Sequence, residues 1–254
     1  MSGHSKWSTI KHKKAAADAK RGKIFSKIAK EITVAARQGG GDPAANITLR
    51  TLVQKARSVN MPADNIDRAI KKGTGELAGE QMDEIMYEGY APGGIAIIVH
   101  VLTDNRNRSA AEVRHVFTKF NGTLAGQGSV SRTFNRKGLI EVKAEDAQED
   151  ALLELALEGG AEDMANQGDY FEITCDPATY TDVLGALEKS DIAVSNSDLT
   201  LLPETWMPVT DVGQARSLLN FVEALEELDD VQNVYANFDI DDEIMAVIEQ
   251  DSNA

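Results

Sequence analysis

The sequence predicts an α+β protein in which a basic three-helix domain precedes two α+β sandwiches, one inserted in the other. Three observations carry this expectation. Apolar residues recur at helical spacing up to about residue 75, alternation takes over from Glu84, and the elements between 137 and 206 run strand, helix, strand, strand, helix, strand. That last stretch is flanked by two fragments that each supply what the other lacks. With 254 residues, 42% of them hydrophobic, the chain has the length for one to three domains and enough apolar material for real cores.

Residues 15–37 read as the first helix. At about 100° per residue, Ile24, Phe25, Ile28, Ile32, Ala35 and Ala36 share one arc, while Lys20, Lys23, Lys27 and Lys30 share the opposite one. Gly39, Gly40 and Gly41 end it. Asp42-Pro43 then offers an N-cap and a first-turn proline for a second helix to about Ser58, with Ile47, Leu49, Leu52, Val53 and Ala56 facing inward. A third helix starts at Pro62 and stops at Gly73.

From Glu84 the period changes. Ile85, Tyr87 and Gly89 alternate, and Pro92-Gly93-Gly94 turns the chain into a buried strand over 95–102. A helix over 107–120 follows, with Val113, Val116, Phe117 and Phe120 inward and Arg108, Glu112, His115 and Lys119 outward; strands are expected at 123–125 and 128–134. The inserted unit has strands at 139–142, 161–165, 170–175 and 192–201 and helices at 148–157 and 178–189, the order of the ferredoxin-like split motif. Cys175, the one cysteine, shares a strand face with Phe171 and Ile173 and reads as core.

A helix over 213–228 and a strand over 231–238 complete the interrupted unit, expected to be a second ferredoxin-like sandwich. The expected domains are thus 1–77, basic and helical; 78–136 with 207–240, discontinuous α+β; 137–206, inserted; and an acidic tail, 241–254, expected to fray but for one amphipathic turn at Ile244, Val247 and Ile248.

Charge narrows the function. The net formal charge is −15, yet residues 1–75 hold 16 Lys+Arg against 5 Asp+Glu, while residues 76–254 hold 10 against 36. A basic module at net +11 on an acidic body at −26 is the pattern of a nucleic-acid-binding domain carried by a solubilising partner. Like charges repeated at helical spacing repel one another, whereas phosphate binding rewards them through counterion release. The candidate contacts are Lys6, Lys11, Lys13, Lys14, Lys20, Arg21, Lys23, Lys27 and Lys30, with Trp7 and His12 beside them. Trp7 is suited to stack on a base or to pack the leading arm onto the helices.

The same composition excludes several classes. One cysteine rules out a disulfide framework and a cysteine metal centre, and the longest apolar run, 95–99, is far short of a membrane span. No metal or cofactor site is expected, since the four histidines at 4, 12, 100 and 115 have no ligand spacing. The one catalytic candidate is Asp104-Asn-Arg-Asn-Arg108, where a carboxylate and two guanidinium groups leave a buried strand, as a phosphate-acting enzyme would need. A capped helix start with Arg106 and Arg108 as auxiliary nucleic-acid contacts is the better reading. No helix-turn-helix is visible, and lysine favours phosphate contact over base readout, which keeps RNA in view.

These residues resemble the YebC family, also called the YebC/PmpR or translational-activator-of-cytochrome-oxidase family. The motifs are Met1-Ser-Gly-His-Ser-Lys-Trp7, Lys13-Lys-Ala-Ala, Asp18-Ala-Lys-Arg-Gly-Lys-Ile-Phe25, Gly40-Gly-Asp-Pro43, Tyr87-Glu-Gly-Tyr90, Asp104-Asn-Arg-Asn-Arg108, Glu112-Val-Arg114, Gly128-Ser-Val130 and Asp229-Asp-Val-Gln232, so the resemblance covers about residues 1–240. It implies an N-terminal helical domain, two α+β domains, one interrupting the other, and no known catalytic activity. It also implies a bacterial-type cytoplasmic protein without the targeting extension of mitochondrial relatives. One departure is Ser131-Arg-Thr133, where relatives continue with apolar or aromatic residues, which questions the packing of that strand face.

The function expected is a non-enzymatic nucleic-acid-binding regulator of gene expression acting on DNA in transcription. The alternative, implied by the resemblance, is a translation factor that binds the ribosome or its RNA and eases synthesis of proline runs, and the remote one is a phosphate-acting enzyme. Monomer and dimer both stay open.

Overall fold

The computed structural model describes residues 18–79 and 82–252. The chain divides into two compact units: Phe134–Leu202 is one, and the other brings together the chain up to Thr133 and from Pro203 onward.

The larger unit begins with α1 (Asp18–Gly39), α2 (Ile47–Ser58) and α3 (Ala63–Thr74). Their apolar arcs close on one core containing Ile28, Ile32, Leu49, Val53, Ile66 and Ala69. The start of α2 departs from expectation. Asp42 closes a turn of its own, accepting from Asn46 N at 2.9 Å, and Asn46 rather than Asp42 caps the helix, its Oδ1 accepting from Leu49 N at 3.1 Å. Its Nδ2 donates to Ala35 O and Gly40 O, each at 2.9 Å, so one buried side chain ties the loop to α1. Ile47 consequently sits at the first helical position, exposed, not in the core.

Next come β1 (Asp83–Ala91) and β2 (Ile95–Thr103), an antiparallel hairpin pairing Asp83 with Thr103 and Ala91 with Ile95. Then follow α4 (Arg106–Lys119) and β3 (Thr123–Ala125). The strand expected over 128–134 is a loop ending in a 3-10 turn, Ser131–Thr133. Its centre is the buried carboxylate of Glu88, which accepts from the backbone N–H groups of Gly128 (2.8 Å), Val130 (2.6 Å) and Ser131 (2.9 Å). Three amides satisfied by a side chain need no neighbouring strand, and Ser131-Arg-Thr133 has no strand face to pack.

The inserted unit contains β4 (Phe134–Lys143), α5 (Glu149–Glu158), β5 (Ala161–Asn166), β6 (Tyr170–Cys175), α6 (Tyr180–Lys189) and β7 (Val194–Pro203). Sheet order β5-β6-β4-β7 on this element order is the ferredoxin-like split motif. Ile140, Val142, Phe171, Ile173 and Cys175 face Leu152, Ala156, Val183 and Leu187 of the helices. Burial pushes the Cys175 thiol pKa up, as suits a core residue.

The larger unit resumes with β8 (Met207–Val209), α7 (Val212–Glu226), β9 (Val231–Ala236) and β10 (Phe238–Ile240). Its main sheet runs β3-β1-β2-β9, and α4 and α7 cover one face, with Ile97, Val99 and Val101 against Val113, Phe117, Phe221 and Val222. The Phe117 and Phe221 rings meet edge to face at 5.0 Å. This sandwich opens with a hairpin, because the Pro92-Gly93-Gly94 turn leaves no room for a helix between β1 and β2, so its element order differs from that of the inserted unit.

The tail differs most from expectation. β10 pairs in parallel with β8, and the chain continues as α8 (Asp242–Ser252), which places Ile244 and Met245 in the main core. Ile248, one turn on, packs half-buried beside them, whereas Val247 of the expected amphipathic turn is exposed, so a short apolar stripe docks the helix despite its acidic composition. Among the described residues no helix is long and apolar enough to cross a membrane.

Candidate nucleic-acid interface

The site is built on the polar arc of α1. Lys23 Nζ donates to Glu227 O at 3.2 Å and lies 3.6 Å from Asp229 Oδ1. Lys27 Nζ donates to Glu226 O at 2.6 Å, and Lys30 Nζ to Asp229 O at 3.0 Å and Asp230 Oδ1 at 2.9 Å. Two of these acceptors, Glu226 O and Glu227 O, lie at the end of α7. α7 ends without a basic residue in its last turn, so its final carbonyls and the negative end of its dipole receive no cation from their own helix. The lysines of α1, about 200 residues earlier in the chain, supply it.

Of the described members of this row Lys23 stays exposed, while Lys27 and Lys30 are half-buried against the α7–β9 turn, which corrects an outward-facing row for those two. A phosphate approaching Lys27 and Lys30 competes with these hydrogen bonds, whereas exposed Lys23 has donors to spare. Lys20 and Arg21 continue the row, but their side chains lie outside the described residues, as do Lys6, Trp7, Lys11, His12, Lys13 and Lys14 altogether.

Asp230 is the hub beneath the row. Its Oδ2 accepts from Arg108 Nε (3.2 Å) and Nη2 (2.7 Å), from Thr103 Oγ1 (3.0 Å) and from Ser109 Oγ (2.8 Å). Burial opposes its ionisation, but Arg108, Lys30 and Ser109 outweigh it and hold the carboxyl well below the usual carboxylate range. Arg108 also binds Asp104 Oδ1 at 2.8 Å, and Asn105 caps α4 by accepting from Arg108 N at 3.1 Å. Arg106 turns the other way, 3.6 Å from Asp83.

The catalytic candidate thus has a structural account. Asp104 and Arg108 are bound to each other and, through Arg108, to Asp230. No group of three or more His, Cys, Asp or Glu side chains placed to hold a metal occurs among the described residues. A cleft of about 550 Å³ opens at this junction, lined by Lys23, Lys30, Asp104, Arg108, Glu112 and Asp229 among others. Sequence reasoning missed Asp230, Thr103 and Ser109. The first signal for them is the unexplained polar pair inside the apolar stripes of β2 and α4, since Thr103 and Ser109 are both fully buried.

Comparison with known proteins places this geometry in a family. Residues 5–76 match the model of the TACO1/YebC protein N-terminal domain, and residues 82–238 that of the TACO1/YebC second and third domain. A protein of Desulfotalea psychrophila named a probable transcriptional regulatory protein is 55% identical over 245 residues, 96% of this chain and 98% of that one. A protein of the same description from Treponema pallidum (strain Nichols) is 54% identical over 245 residues, 96% of this chain and 100% of that one. The crystal structure of a conserved hypothetical protein from Aquifex aeolicus superposes with a TM-score of 0.83 at 49% identity, covering 91% of this chain and 96% of that one. With both family models matched in sequence and together spanning most of its length, the chain belongs to the TACO1/YebC family.

Proposed function

We propose that the protein is a non-enzymatic, nucleic-acid-binding regulator of gene expression that acts on DNA in transcription. The observation that carries this is charge segregation: residues 1–75 bear net +11 on a body of net −26, which draws the N-terminal domain towards polyphosphate and keeps the remainder away from it. The naming of relatives at 54–55% identity as probable transcriptional regulatory proteins supports the same reading. The accounting of Asp104, Asn105 and Arg108 as ion pair and helix cap supports the non-enzymatic part.

Ultraviolet crosslinking of the protein in its native cells, followed by sequencing of attached DNA and attached RNA, tests the proposal. Enrichment at discrete promoter DNA is the expected result. Enrichment in ribosomal RNA with little DNA replaces transcription by translation, and the absence of both removes the nucleic-acid reading.

A further inference from the structure

The ammonium groups of Lys27 and Lys30 are directed into the α7–β9 turn and half-buried there, so a phosphate backbone competes with that turn for them. Lys27 is committed to Glu226 O, Lys30 to Asp229 O and Asp230 Oδ1, and Lys23 to Glu227 O. We propose that this contact is a switch, in which the segment 226–230 occupies the lysines of α1 as an internal polyanion and a nucleic-acid backbone displaces it, releasing the helical domain from the α7–β9 turn. The inference rests on the nucleic-acid reading above and adds its regulation.

The chemistry of the internal partner supports the exchange. Four of the five residues at 226–230 are acidic, and their carbonyls lie at the negative end of α7. To an ammonium group such a turn offers what a phosphodiester offers, several oxygens with net negative charge at 2.6–3.2 Å. Replacing one set of charge-assisted hydrogen bonds by another leaves the lysines satisfied in both states.

The packing supports it as well. The core of the helical domain and the core of the sandwich share no residue. Parting α1 from the α7–β9 turn therefore leaves both cores closed, and each domain keeps its own fold. Asp230 keeps Arg108, Thr103 and Ser109 when Lys30 leaves, so it is not stranded as an unpaired buried charge.

Two consequences follow. The apparent affinity for nucleic acid is the intrinsic affinity reduced by the fraction of molecules whose row is undocked. Binding must also, by the same linkage, expose the α7–β9 turn. Direct contact alone predicts the opposite sign, since a bound nucleic acid shields what it covers.

Hydrogen–deuterium exchange on the full chain reads that sign, with a mixed-sequence DNA duplex and, separately, total RNA as probes. Whichever probe binds is expected to speed exchange across 226–231 several-fold, at amides such as Leu228 and Val231, whose hydrogen bonds to Leu225 O and Leu228 O close the turn. Slower or unchanged exchange there, with binding measured on the same sample, overturns the switch and leaves the nucleic-acid reading standing. Failure of both probes to bind overturns the nucleic-acid reading and the switch with it.

Discussion

Lys30 Nζ lies 2.9 Å from Asp230 Oδ1, joining the helical domain to the start of β9 through a side chain only 5% exposed. The second oxygen of that carboxylate gathers Arg108, Thr103 and Ser109, so one side chain organises α1, β2, α4 and β9. Replacing Asp230 with Asn keeps the shape and removes the charge, leaving Lys30 and Arg108 without their counter-ion. Both cations retain access to water, which lowers the cost below that of a fully buried pair, and about 2 kcal/mol is expected. Thermal denaturation measures it as a fall in the unfolding midpoint.

Glu88 makes a separate prediction about the loop before the inserted unit. Burial raises its pKa, but the N–H groups of Gly128, Val130 and Ser131 pull harder, and the net displacement is downward. A carboxyl depressed on folding stabilises the fold above its unfolded value of about 4, and that contribution fades as the pH falls through the folded value. Glu88→Gln is expected to cost about 2 kcal/mol at neutral pH. Denaturant titration at a series of pH values should show the gap between wild type and variant closing in acid; a gap independent of pH would contradict the assignment.

How much of this was legible in the sequence depends on range. The apolar arc of α1 follows from spacing alone, and Ile28, Ile32, Ala35 and Ala36 are buried as that spacing requires. The cationic arc is equally legible as an arc, but spacing says nothing of its partner, which lies about 200 residues away at the end of α7. Asp229 and Asp230 are neighbours of the same type, one exposed and one buried, and no local pattern separates them. Glu88 sits between Tyr87 and Gly89 as an ordinary alternating polar residue, and only the return of the chain at Gly128 shows its role. Acidic composition hid α8, because a short stripe of Ile244, Met245 and Ile248 docks it against many charged side chains.

Gly73 tests the helical domain by itself. A Cβ there would meet Thr33 O of α1 and come within 2.7 Å of Ala36 Cβ, so α1 and α3 cross where only glycine fits. Gly73→Ala is expected to force the helices apart at a cost of about 1–3 kcal/mol, despite the better helix propensity of alanine. Faster proteolysis within 18–79, with the inserted unit unaffected, is the observable; wild-type resistance would show that the crossing adjusts freely.

The inserted unit carries the opposite case, a side chain whose removal should stabilise. Glu141 on β4 stands directly across from Glu172 on β6. Burial, chiefly, and the charge of Glu172 raise its pKa, while a hydrogen bond from Asn196 only partly compensates. The sign is therefore reversed relative to Glu88. A carboxyl whose pKa rises on folding binds its proton more tightly in the native state, so it favours folding in acid and opposes it once ionised above the folded value. Glutamine keeps an oxygen for Asn196 and removes the repulsion between facing charges. Glu141→Gln is expected to raise the unfolding midpoint of the inserted unit at neutral pH, by roughly 1 kcal/mol of stability, and to give little or no gain near pH 4. Calorimetry at the two pH values distinguishes this from a packing effect, which would appear equally at both.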